Sequence, residues 1–115
     1  MVEKWKLALK EFLKKYEEDD DIIGAVLYGS YALDDYDDSS SINVYLVLKD
    51  GCNYSKMGDI DSNSYLVEYF MNTKYKIINC MEYEFKENKQ FTAMIFAYGK
   101  IIYDTDGTVK YLQDK

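Results

Sequence analysis

Apolar positions recur along this chain with two different periods, and the switches between them mark out its elements. Over Val2–Glu18, Trp5, Ala8, Leu9, Phe12, Leu13 and Tyr16 fall on one helical face with lysines and glutamates opposite. The acids of "EEDDD" oppose the macrodipole at the end of that helix, so it should fray into a solvated run there. Ile22–Tyr28 is a short apolar run of strand length. Ser41–Lys49 alternates, with Ile42, Val44, Leu46 and Leu48 facing one way and Ser41, Asn43, Tyr45 and Val47 the other. Asp50-Gly51 reads as a turn, and Ser64–Met71 as a strand rich in aromatic and β-branched residues.

Helical spacing returns at Ile77, Ile78, Met81 and Phe85. A second helical segment spans Gln90–Gly99, with Gly99 as its C-terminal glycine. Lys100–Asp104 is a short strand, Asp106-Gly107 a turn, and Thr108–Gln113 a terminal helical turn or short helix. With a short helix after Gly29-Ser30, the predicted order is α-β-α-β-β-α-α-β-α. That is an α+β (mixed α/β) domain, a short mixed sheet with helices packed on it, occupying residues 1–115 as one unit.

Composition removes several kinds of chemistry. With no histidine, a Ser-His-Asp or Cys-His nucleophile and a His-based zinc site are excluded. Cys52 and Cys80 are too few for a Cys-only zinc site, and with no secretion signal they are expected to be reduced thiols in the cytoplasm. No apolar run reaches the length of a membrane span. Every basic residue is a lysine, so the forked grip of arginine on phosphate or guanine is missing. A net charge of −7 repels nucleic-acid backbones, so non-specific nucleic-acid binding is not expected. Most of the 13 tyrosines should be core or half-buried strand residues.

Four segments in order carry a resemblance. They are "LYGSYAL" (Leu27–Leu33), "SSSINVYLVL" (Ser39–Leu48), "VEYF" (Val67–Phe70) and "AYGKIIYDTDG" (Ala97–Gly107). Together the chain resembles the minimal nucleotidyltransferases of the DNA polymerase β-like superfamily. In those proteins a strand ends in Gly-Ser, and about ten residues later a strand carries Asp-x-Asp. The resemblance implies a nucleotide site at Gly29 and Ser30. Glycine lets backbone approach a triphosphate closely, and a helix begun by the serine presents free N–H groups to anions. It also implies two strand carboxylates two residues apart, which share one face and can hold Mg²⁺, with a third acid at Glu68.

The Asp-x-Asp positions are here Ser41 and Asn43, both neutral. A hydroxyl and an amide are weak Mg²⁺ ligands and neutralise no charge. Slipping the register onto Asp37 and Asp38 fails, because adjacent strand residues point to opposite faces.

Three roles follow. The first is a catalytically inactive nucleotidyltransferase-fold protein that binds a nucleotide through Gly29, Ser30, Ser41 and Asn43, or binds a protein partner. The second is an active Mg²⁺-dependent enzyme moving a nucleoside monophosphate from an NTP to a protein, RNA or small molecule, using Glu68 with aspartates of the Asp34–Asp38 loop. The third is an antitoxin-like module paired with a helical protein or with a second copy. Against all three stand plainer readings: a serine N-cap at Ser30, outward polar residues at Ser41 and Asn43, and a solvent-facing or lysine-paired Glu68. The stretch Ile101–Val109 also resembles the nucleophile motif of haloacid-dehalogenase-type phosphatases through Asp104 and Asp106. A turn between the last strand and last helix explains the same letters.

Overall fold

The computed structural model describes residues 4–36, 40–52, 56–62 and 65–114. Among these, α1 (Lys4–Glu17) is followed by β1 (Ile22–Tyr28), β2 (Ile42–Leu48), β3 (Lys56–Ser62) and β4 (Tyr65–Thr73). Then come α2 (Lys74–Lys86), α3 (Phe91–Tyr98), β5 (Lys100–Asp104) and α4 (Thr108–Asp114). The five strands form one mixed sheet in the order β3-β4-β2-β1-β5. Of its four pairings, β2–β4 is parallel and the others are antiparallel.

Each sheet face buries its own set of alternating side chains. Ile42, Val44, Leu46 and Leu48 of β2 lie with Ala25, Leu27, Val67 and Met71 under Trp5, Ala8, Leu9, Phe12 and Leu13 of α1. Tyr45 and Val47 face the other way and pack with Val26 against Ile77, Met81, Ile95, Phe96, Val109 and Leu112 of α2, α3 and α4. The period-2 pattern of β2 thus supplies both cores. Phe96 is fully buried in the second, so Phe96→Ala should cost about 3–5 kcal/mol. Gly99 is a close-approach glycine rather than a left-handed cap: its backbone is extended, and a Cβ there would collide with Ile95 O and Val26 Cγ1.

Three further expectations change. The predicted short helix after Gly29-Ser30 is a single turn, closed by Leu33 N–H to Gly29 O (3.1 Å) and Asp35 N–H to Ser30 O (2.9 Å). Asp34 in the left-handed region (φ 56°) ends it. The strand β3 is not foreshadowed by local pattern, because "KMGDIDS" has poor strand propensity; it exists as an edge strand paired along β4. Phe85, placed by periodicity with the core residues of α2, is 70% exposed, whereas Ile77 and Met81 are buried.

Candidate functional site

Strand β1 ends at Tyr28, and Gly29 turns the chain at φ 82°, a conformation L side chains rarely adopt. Space is short there as well: a Cβ on Gly29 would lie 2.6 Å from Asn43 Nδ2. The Asn43 amide therefore lies against the Gly29 backbone. Ser30 follows in the turn and is half-buried. The turn is tied back to α1 by rings: Tyr31 stacks on Tyr36 at 4.3 Å, Trp5 lies 4.8 Å from Tyr31, and Trp5 Nε1 donates to Tyr36 Oη at 3.2 Å.

Strand register sets the rest. Tyr28 opposes Asn43, Asn43 opposes Glu68, and Glu68 opposes Asp59. One transverse row thus crosses β1, β2, β4 and β3 on the face that carries α2–α4, with neighbouring Cβ atoms about 5 Å apart. Ser41, two residues before Asn43, donates from Oγ to Glu68 Oε2 at 3.1 Å. The structure therefore brings Gly29, Ser41, Asn43 and Glu68 to one end of the sheet. Of the acidic loop, Asp34 lies 4.0 Å from the Lys100 ammonium of β5, the edge strand on the far side of β1 from β2 and β4. Asp37 and Asp38 lie outside the described residues.

Two clefts meet at Tyr28. One, of about 450 Å³, is lined by Tyr28, Gly58, Asp59, Glu68, Tyr69 and Phe70. The other, of about 330 Å³, runs from Tyr28 and Gly29 along α3 past Leu33, Phe91, Met94 and Tyr98. Among the described lining residues neither cleft carries a lysine, and the first carries two carboxylates. Burial, reinforced by the Glu68 carboxylate and by Tyr45, pushes the Tyr28 hydroxyl up to about 12. Tyr28 therefore stands as a neutral phenol between an acidic cleft and an apolar one.

Sequence reasoning missed Asp59 and Tyr28. The signal for Asp59 was present: "DID" at Asp59–Asp61 is itself an Asp-x-Asp, in a segment without strand character. Among the described residues no three acidic or cysteine side chains converge as a metal cluster. A hydroxyl, an amide and two carboxylates do not fit a resident two-metal centre. They do fit one Mg²⁺ arriving with a nucleotide, which needs only one or two carboxylates beside the phosphates.

At the far corner of the sheet, Asp104 and Asp106 cap α4. Asp104 accepts from Val109 N (3.2 Å) and Lys110 N (3.0 Å), and Asp106 accepts from Thr108 N (3.0 Å). The hydrogen bonds to Thr108 hold the Asp106 carboxyl below its ordinary range. The phosphatase-like letters are a capped strand-to-helix turn.

The family model for polymerase beta nucleotidyltransferases matches residues 8–108. A nucleotidyltransferase-like protein from Exiguobacterium sibiricum 255-15 is structurally similar, with a TM-score of 0.71 at 10% identity over 96% of this chain and 37% of that one. At that identity the likeness shows the fold alone, and this chain spans little more than a third of that protein's length. No curated protein matches the chain.

Proposed function

This chain belongs to the polymerase beta nucleotidyltransferase family, and from that premise we propose that it binds a nucleotide at the Gly29 turn without transferring it. One observation carries this: the two positions that resemble Asp-x-Asp hold Ser41 and Asn43, and both already have neighbours, Ser41 bonded to Glu68 and Asn43 laid against Gly29. Two-metal transfer needs carboxylates there to hold both ions, on the attacking and the leaving oxygens. The Gly29 turn, by contrast, keeps its positive φ and its opening onto a cleft. Glu68 and Asp59 repel a bare triphosphate, so Mg²⁺ is required for binding an NTP and supplies charge neutralisation when bound.

Calorimetric titration with ATP, GTP, CTP and UTP, with and without Mg²⁺, tests this beside a pyrophosphate-release assay. Micromolar, Mg²⁺-dependent binding with no pyrophosphate released is the expected result. Release at ordinary enzyme rates would establish the second reading, an active transferase, for which Asp59 opposite Glu68 is the favourable observation. If no NTP binds, the role passes to protein-partner binding, for which Phe85, Phe91, Met94 and Tyr98 offer exposed apolar surface.

A further inference from the structure

The cleft along α3 has a chemistry distinct from the acidic row beside it. Its walls are Tyr28, Leu33, Phe91, Met94, Ile95 and Tyr98, with Gly29 and Gly99 also lining it. Leu33 (62%), Phe91 (60%), Met94 (54%) and Tyr98 (66%) remain largely exposed, a contiguous apolar patch of the kind that marks a binding site. A volume near 330 Å³ falls in the range of small-molecule sites. Three aromatic residues, Tyr28, Phe91 and Tyr98, line it. The only side-chain polar atoms on the described walls are the hydroxyls of Tyr28 and Tyr98, too few to read the edge of a heterocycle.

We infer that this cleft is a stacking subsite for the flat heterocycle of the bound nucleotide, and that it accepts all four bases because it does not read their hydrogen-bonding edges. The inference rests on the nucleotide reading above and locates the base of that ligand. Continuity fixes the occupant. Tyr28 lines both clefts, so one molecule with a flat apolar part and a polar, metal-associated part can lie across it. The heterocycle sits by α3, and the phosphates pass the Gly29 turn toward Glu68. Stacking is sequence-tolerant because every base has a π-face. The base term is independent of Mg²⁺, and the phosphate term is not.

The test compares the wild-type chain with Phe91→Ser and Tyr98→Ser. Both remove exposed rings, and thermal unfolding confirms that the variants are folded. Each protein is titrated with Mg²⁺ complexes of the four NTPs, and with adenosine in the absence of Mg²⁺. The expected result is that the four NTPs bind within about tenfold of one another, purines tightest. Each variant weakens all four by about tenfold, the usual loss of one base–aromatic stack. Adenosine binds without Mg²⁺ and is weakened in parallel. One base bound about a hundredfold more tightly than the rest would overturn the inference, as would variants that leave every affinity unchanged. In the latter case NTP binding would still uphold the nucleotide site with its base lodged elsewhere. Adenosine bound at the cleft with no NTP bound would keep the heterocycle subsite and remove the nucleotide reading. Self-association abolished by Tyr98→Ser would give the cleft to a second copy and also overturn the inference.

Discussion

Two strand-to-helix corners of this sheet are spelled in similar letters and end in opposite states. At the corner after β5, Asp104 and Asp106 turn inward onto the backbone N–H groups that open α4, and a Cβ on Gly107 would meet nothing within 4 Å. At the corner after β1, the helix is reduced to one turn, Asn43 crowds Gly29 from the next strand, and clefts open on both sides of Tyr28. A motif of glycine and acids marks a site only where its polar groups stay available beside open space. The first corner uses its acids to hold the fold; the second leaves Glu68 and Asp59 facing a cleft.

The two glycines make the sharpest contrast. Gly29 (φ 82°) and Gly107 (φ 84°) share a backbone conformation and differ in their surroundings. Gly107→Ala should cost only the left-handed penalty, about 1 kcal/mol. Gly29→Ala adds displacement of the Asn43 amide and should cost roughly 2–3 kcal/mol, with nucleotide binding lost. Adding Asn43→Ala to Gly29→Ala should return the cost to that of Gly107→Ala. Equal costs for the two single variants in urea unfolding would break the contrast.

Asp104→Ala comes next. It removes the acceptor of two N–H groups, one belonging to the fully buried Val109, and should cost about 1–2 kcal/mol. Nucleotide affinity should be unchanged, since the corner is structural. Loss of affinity with stability intact would make the Asp104 corner a binding site after all.

The corners should also differ in their response to pH. Asp106 is held low, so its contribution is present above the ordinary value of 3.8 and is lost as pH falls through its lowered value. Tyr28 is raised from 10.0 to about 12, so its contribution is complete below pH 10 and is lost as pH rises toward 12. Tyr45, raised to about 12 chiefly by burial, adds to the alkaline loss. Tyr28→Phe should therefore flatten the alkaline limb of stability against pH and leave the acid limb alone; Asp106→Asn should do the reverse. Tyrosinate absorbance followed through the alkaline range checks the first directly.

How much of the molecule is legible in its sequence follows from where burial decides the pattern. β1 and β2 can be read because their side chains are sorted between two cores, and β2 writes that sorting as strict alternation. The same alternation puts Asn43 and Ser41 on one face, but their approach to Gly29 and Glu68 follows from which strands flank β2, and that the letters do not state. β3 is invisible because an edge strand needs only a neighbour's backbone, and "KMGDIDS" carries no apolar period to announce it. Asp59 is lost with it. The short helix is over-predicted because nothing local signals that Asp34 adopts positive φ. Phe85 keeps helical spacing yet stands outside the core, lining a cleft with Met81 and Ala93 where α2 runs on past its last buried residue.

Glu68→Gln is the smallest change to the fold and the most direct probe of the open corner. Glu68 is exposed, and an amide oxygen can still accept the Ser41 hydroxyl, so stability should stay within about 0.5 kcal/mol of wild type. The charge beside Tyr28 disappears, however, and with it half of the carboxylate pair formed with Asp59. Mg²⁺-dependent NTP affinity should fall by about tenfold, while adenosine binding without Mg²⁺ should hold or rise. An unchanged NTP affinity would mean that the phosphates lie away from the row, and the open corner would then differ from the closed one only in the apolar cleft. A fall in stability comparable to that of Asp104→Ala would mean that Glu68, too, is a structural acid, and the difference between the corners would be one of exposure alone.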